Sequence, residues 1–248
     1  MERIILIETS TALCSTALAE DGTITSYRES SAPKAHASLT AVFVQEMLSE
    51  RGLTLADCDA VCVSMGPGSY TGLRVGVSTA KGLCFGSGKP LLAVGTLDTL
   101  VAQAADEAGA AGGADAAGGA GQYRYIIPMI DARRMEVYTA VFSVITNGSE
   151  DTLSYRQITE TAPVIIDENS FAKELEAGPV LFIGDGAGKC ADVIKHPNAN
   201  FCQCHPKASA MLSPALEALR KGDFKDVAYF EPFYLKEFVA TVSKKKLF

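Results

Sequence analysis

Nine residues, Gly66-Pro67-Gly68-Ser69-Tyr70-Thr71-Gly72-Leu73-Arg74, join an apolar run, Ala60 to Met65, to a helical stretch, Leu73 to Gly86. Glycine admits positive φ and close approach of another group. At a strand-to-helix junction the free backbone N–H groups and the helix dipole favour an anion. Ser69 and Thr71 are both placed to cap the helix. The segment matches neither common nucleotide fingerprint. Thr71 stands where a Rossmann motif needs its third glycine, and no Gly-Lys-Ser or Gly-Lys-Thr follows. Two readings stay open: a rigid turn that presents the next helix, or a loop that holds a ligand or partner.

The flanking sequence predicts a layered α/β fold. Arg3 to Glu8 reads as a buried strand, and Thr16 to Ala19 and Thr23 to Tyr27 as a hairpin about Asp21-Gly22. A helix over 37–51 is stopped by Gly52, and Leu91 to Val94 and Leu97 to Ala105 form the next strand and helix. From Ala104 to Gly121 the chain is almost entirely Ala and Gly, a composition that builds no core and predicts a linker. Beyond it, Tyr123 to Ile130 and Glu136 to Val144 read as a strand pair. A helix near 170–176, a strand Val180 to Ile183, the turn Gly184-Asp185-Gly186 and a helix over 208–221 complete the pattern. Pro214 requires that last helix to start or kink there. The expected organisation is a first lobe over 1–103, completed by the 208–221 helix, a linker over 104–121, and a second lobe over 122–248. Each half opens on strands and continues with helices, as a duplication would.

Two helices carry more apolar surface than one core needs. On 37–51, Leu39, Val42, Phe43 and Met47 form one stripe, and Ala37, Ala41, Val44 and Leu48 a nearly opposite one. On 73–86, Leu73, Gly76, Val77, Ala80, Leu83 and Cys84 share a face whose small members, Gly76 and Ala80, lie four apart. The pair reads as an assembly surface, with Leu39, Val42, Phe43, Leu73, Gly76, Val77 and Ala80 as its contact set; which of the two stripes on 37–51 faces outward stays open at this point. A bulky charge at Gly76 is then expected to abolish pairing and leave the monomer folded.

Composition narrows the partners. The 22 basic residues are outnumbered by 29 acidic ones, a net charge of −7, and the only basic run is Lys244-Lys245-Lys246. That balance argues against strong nucleic-acid binding by this chain alone. Seven cysteines, mostly inside apolar runs, read as reduced thiols of a cytoplasmic protein. The apolar run at the N-terminus is too short for a signal peptide, and no stretch is long enough to span a membrane.

Other candidate chemistry is sparse. Histidines occur only at His36, His196 and His205, and Cys202-Gln203-Cys204-His205 lacks the two-residue spacer and second ligand pair of a zinc site. No Gly-x-Ser-x-Gly elbow is present. Gly184-Asp185-Gly186-Ala187-Gly188-Lys189 fails the P-loop pattern and reads as a turn. Glu8 is a general base or a polar strand end, and Asp131-Ala132-Arg133-Arg134 a functional turn or a surface ion pair.

Together these pieces resemble one family. Ile5-Leu6-Ile7-Glu8-Thr9-Ser10-Thr11, Pro33-Lys34-Ala35-His36 and the Gly66–Arg74 loop carry the resemblance. Asp131-Ala132-Arg133 with Glu136-Val137-Tyr138, Gly184-Asp185-Gly186 and Glu231-Pro232-Phe233-Tyr234-Leu235 extend it along nearly the whole chain. The sequence is similar to the TsaB (YeaZ) family of tRNA threonylcarbamoyladenosine biosynthesis. The resemblance implies the two-lobed α/β fold of acetate kinase, sugar kinases, Hsc70 and actin. It implies a non-catalytic subunit that pairs through its first two helices with TsaD, the catalytic paralogue. TsaE, a small ATPase, joins them, and tRNA is engaged only through the complex. No cofactor or metal is then required by this chain, ATP or ADP belongs at the complex interface, and the free chain is a candidate homodimer.

Departures from the catalytic paralogue point the same way. TsaD-like proteins carry a His-x-x-x-His pair, whereas His36 is followed four residues later by Thr40. Glu8-Thr9-Ser10-Thr11 keeps a carboxylate but lacks the glycines of a kinase phosphate turn. The competing readings are a glycoprotease-like metallopeptidase and an ATPase of the actin-like class acting alone.

Overall fold

The computed structural model describes residues 2–110, 120–146 and 153–236. The first lobe contains β1 (Arg3–Glu8), β2 (Cys14–Glu20), β3 (Thr23–Ser30), α1 (Ala35–Glu50), β4 (Ala60–Gly66), α2 (Tyr70–Ser87), β5 (Leu91–Gly95) and α3 (Thr96–Ala110). Its sheet has the order β3-β2-β1-β4-β5, with β1 antiparallel to β2 and parallel to β4. Asp21 and Gly22 take φ of 47° and 76°, the left-handed pair that a two-residue hairpin turn requires. Gly52, at φ 65°, follows the end of α1.

The second lobe contains β6 (Tyr125–Asp131), β7 (Glu136–Thr139), β8 (Phe142–Thr146), β9 (Leu153–Gln157), β10 (Ala162–Ile165), α4 (Ala172–Ala177), β11 (Val180–Ile183), α5 (Ala187–Ala191) and β12 (Ala199–Cys202); α6 (Leu212–Lys221) follows. Its main path, β10-β7-β6-β11-β12, repeats the first sheet strand for strand. β7 and β10 are antiparallel to their neighbours, and β11 and β12 are parallel. The duplication that the two halves hinted at is therefore visible as topology. The architecture is a two-lobed α/β arrangement, with mixed sheets and flanking helices.

The lobes exchange helices. Ile4 to Ile7 are buried on both faces of β1. Ile5 and Ile7 pack with Val44 and Met47 of α1 and Val77 and Ala80 of α2. Ile4 and Leu6 pack on the other side with Met211 and Ala215, so the late helix α6 covers the first sheet. Conversely, Leu97, Leu100 and Val101 of α3 pack on Ile126, Ile130, Leu181 and Ile183 of the second sheet.

Several sequence expectations change. Residues 104–110 are not linker but the last turns of α3, because alanine is the best helix former; positions 111–119 lie outside the described residues. The first-lobe boundary also shifts. After β12 the chain returns to the first sheet: Ala208 N–H donates to Ser15 Oγ at 2.9 Å, Lys225 N–H to the Leu91 carbonyl at 2.8 Å, and Phe233 N–H to the Met65 carbonyl at 2.7 Å. The expected strand 136–144 is two strands, since β7 pairs with Met129–Asp131 of β6 and β8 with Tyr125 and Ile126. The short strands β9, β10 and β12, of four or five residues each, add to the expected pattern. Pro214 sits in the first turn of α6, where no intrahelical N–H bond is lost.

Candidate functional site

The glycine loop is built against the turn that follows β1. Gly68, Gly72 and Gly76 recur every fourth residue, and each faces Thr9 or Ser10. A Cβ at these positions would lie 2.4 Å from the Ser10 carbonyl oxygen, 2.1 Å from the Thr9 carbonyl oxygen and 2.1 Å from Thr9 Oγ1. Ser69 N–H donates to the Ser10 carbonyl at 2.6 Å. Ser69 Oγ caps α2 by accepting from Gly72 N–H at 3.3 Å, so Ser69 and not Thr71 is the cap. Gly66, at φ 105°, faces the Phe233 carbonyl. These glycines are thus spent on packing within the chain, as the rigid-turn reading holds; Pro67 to Thr71 remain along the rim of a cleft.

That cleft, about 780 Å³, opens between the lobes. It is framed by the turns that leave β1, β4, β6 and β11 at their carboxyl ends, where α/β sheets place ligands. On the first-lobe side, Ser10 Oγ and Thr11 Oγ1 are buried with no hydrogen-bond partner placed among the described residues. On the second-lobe side, Arg133 and Arg134 both take positive φ, 70° and 52°, an uncommon conformation for residues with a Cβ.

The carboxylates around the cleft are engaged within the chain. Asp131 forms an ion pair with Lys189, whose ammonium also donates to the Glu136 carbonyl at 2.7 Å. Asp131 N–H donates to Asp185 Oδ1 at 2.9 Å. Burial pushes the Asp185 carboxyl above the usual carboxylate range, opposed by that N–H bond. Glu8 does not reach the cleft. It is fully buried at the end of β1, and burial raises it to about 7 against the Ser10 N–H bond of 2.6 Å. The polar-strand-end reading describes it.

His36 Nε2 lies 2.9 Å from the Thr11 carbonyl oxygen. Thr40 is buried; its hydroxyl donates to the His36 carbonyl at 2.6 Å and lies 3.3 Å from Cys14 Sγ. Among the described residues no group of three or more His, Cys, Asp or Glu is placed to hold a metal. In the Cys202–His205 segment, the Gln203 side chain accepts from Gly188 N–H at 2.6 Å and donates to the Asp185 carbonyl at 2.9 Å.

The expected assembly surface is largely turned inward. Leu73, Gly76, Val77 and Ala80 are buried against the first sheet and its β1 turn. Leu39 and Phe43 are half-buried, and Val42 alone of the seven is exposed, at 40%. The inward face of α1 draws Met47 from one predicted stripe and Val44 and Leu48 from the other, and adds Ala35 and Thr40, which belong to neither. The small residues of α2 admit the chain's own turn rather than a foreign helix. What faces outward is a shallow groove of about 570 Å³ between α1 and α2, lined by Ala37, Tyr70, Thr71, Arg74, Val75, Ser78 and Thr79. Of the predicted loop residues, Tyr70 and Thr71 therefore border both cleft and groove, and Arg74 the groove alone.

A family model described as TsaD, tRNA N6-adenosine threonylcarbamoyltransferase, matches residues 28–244. The tRNA threonylcarbamoyladenosine biosynthesis protein TsaB of Escherichia coli (strain K12) is 32% identical over 243 residues, 96% of each chain. The solved structure of YeaZ from Pseudomonas aeruginosa superimposes with a TM-score of 0.77 at 26% identity, covering 95% of this chain and all of that one. A shorter match, 43% identical over 67 residues, is to the tRNA N6-adenosine threonylcarbamoyltransferase of Maricaulis maris (strain MCS10), covering 27% of this chain and 18% of that protein. Sequence, fold and full-length likeness agree, and the chain belongs to the TsaB (YeaZ) family of tRNA threonylcarbamoyladenosine biosynthesis proteins.

Proposed function

We propose that this chain is a non-catalytic, activating subunit for threonylcarbamoyl transfer to the adenosine next to the anticodon of ANN-reading tRNAs. It pairs with a TsaD-type catalytic subunit through the outer faces of α1 and α2. A TsaE-type ATPase joins the pair, tRNA is held by the complex, and ATP or ADP sits at the complex interface with no cofactor required by this chain itself. The observation that carries the reading is the outward groove. Ala37 and Ser78 place small side chains beside Val75, so another backbone can approach closely there, flanked by the larger Tyr70 and Arg74. The inner faces of both helices are already satisfied by their own core.

The state of the candidate chemical groups supports a supporting role. Thr40 is committed to His36 and Cys14, Glu8 is sealed from the cleft, and Asp131 is neutralised by Lys189. The test is reconstitution: co-purification with the TsaD-type and TsaE-type proteins of the same source, then transfer assays with and without this chain. A stable complex, and transfer lost on omitting the chain, is the expected result. Transfer that proceeds unchanged without it, or ATP hydrolysis or peptidase activity from the chain alone, overturns the reading.

A further inference from the structure

The four residues Phe233 to Lys236 cross the mouth of the cleft and touch both lobes. At the first-lobe end, Phe233 N–H donates to the Met65 carbonyl at 2.7 Å and its carbonyl lies over Gly66, where a side chain would obstruct it. Tyr234 stacks on Tyr70, the first residue of α2, with ring centroids 4.5 Å apart. At the second-lobe end, Lys236 forms an ion pair with Glu136 of β7 and lies 5.7 Å over the Tyr138 ring.

We propose that this segment is a latch that sets the width of the cleft and, through Tyr70, the shape of the outer groove. Each contact is modest: a half-exposed ion pair and one aromatic stack contribute little alone. Four contacts on four consecutive residues share one ordering cost, so they act together. Tyr70 is the joint. It borders the cleft and the groove at once, and the Arg74 guanidinium, a groove residue, lies 5.4 Å over its ring. Release of Lys236 from Glu136 frees the second lobe; release of Tyr234 also frees Tyr70 and the groove behind it. The device belongs to the chain alone and stands whether or not the groove receives a partner.

Hydrogen exchange on the full chain reads it directly. Lys236→Glu, which sets two like charges side by side, is expected to speed exchange about two- to fivefold in Glu136–Thr139 and in Gly66–Arg74. Tyr234→Ala is expected to give about tenfold in Gly66–Arg74. The buried run Ile4–Ile7 is the internal reference and keeps its rate. The charge-swapped pair, Lys236→Glu with Glu136→Lys, restores both segments to within about twofold of the wild type. Unchanged exchange in Glu136–Thr139 for Lys236→Glu, failure of the swap to restore it, or a rise at Ile4–Ile7 as well would each overturn the latch.

Discussion

Gly76 of α2 is seated on Thr9, the first residue after β1: a Cβ at Gly76 would lie 2.1 Å from Thr9 Oγ1 and 3.3 Å from its Cβ. Gly68 and Gly72 make the same kind of approach to Ser10 and Thr9. The helix is thereby pinned to the end of the central strand, and its outer face is held in a fixed position.

A methyl group at Gly76 forces that contact apart. Overpacking of this kind costs about 1–3 kcal/mol, whereas the gain in helix propensity from Gly to Ala is about 1 kcal/mol. Gly76→Ala is therefore expected to lower the urea midpoint, and Gly76→Glu to lower it further or prevent folding. This replaces the expectation that a charge at Gly76 leaves the monomer intact. An unchanged midpoint for Gly76→Ala contradicts the packing.

The difference shows what the sequence could and could not express. Ile4 to Ile7 announce a strand buried on both faces, Asp21-Gly22 announces its hairpin, and Val180 to Ile183 are found within the bounds expected. Small residues at a spacing of four were legible as a close approach, but not as an approach by Thr9, more than sixty residues earlier, rather than by another protein. The same limit hid the pairing of Lys189 with Asp131 and of Lys236 with Glu136, which join segments remote in sequence. It hid the crossing of α3 to the second sheet as well, whereas the return of the 208–221 helix to the first lobe was expected. The return of residues 222–236 to the first lobe has no periodicity at all, since it runs on single backbone bonds such as Lys225 to Leu91.

Glu8 gives the fold a signature in pH. Its carboxyl, raised by burial to about 7 in the folded chain from an ordinary 4.5, keeps a proton that the unfolded chain has released. Between those two values stability falls as pH rises; above about 7 this contribution levels off, having removed on the order of 3 kcal/mol. Glu8→Gln keeps an acceptor for Ser10 N–H and cannot ionise. It is expected to be more stable than the wild type at pH 8 and to lack the wild type's decline between about pH 5 and 7. Parallel pH profiles for the two proteins, measured by urea unfolding, contradict this.

Thr40 tests whether its hydroxyl is structural. The group is buried between the His36 carbonyl and Cys14. Thr40→Val keeps the shape and removes the hydrogen bonds, so the expected loss is about 1 kcal/mol of stability, with threonylcarbamoyl transfer by the reconstituted complex unchanged at permissive temperature. A large loss of transfer without loss of stability would instead give Thr40 a part in the chemistry.

The central claim is that the outer face of α1 and α2, and not the inner one, is the docking surface. Ser78→Arg tests it most directly, because Ser78 is exposed in the groove and substitution there leaves the core untouched. Binding of the Ser78→Arg chain to the TsaD-type subunit, measured by titration calorimetry beside the wild type, is expected to weaken at least about tenfold, or about 1.4 kcal/mol, with the urea midpoint unchanged. Binding retained within about twofold, in a chain shown to be folded, would contradict the account.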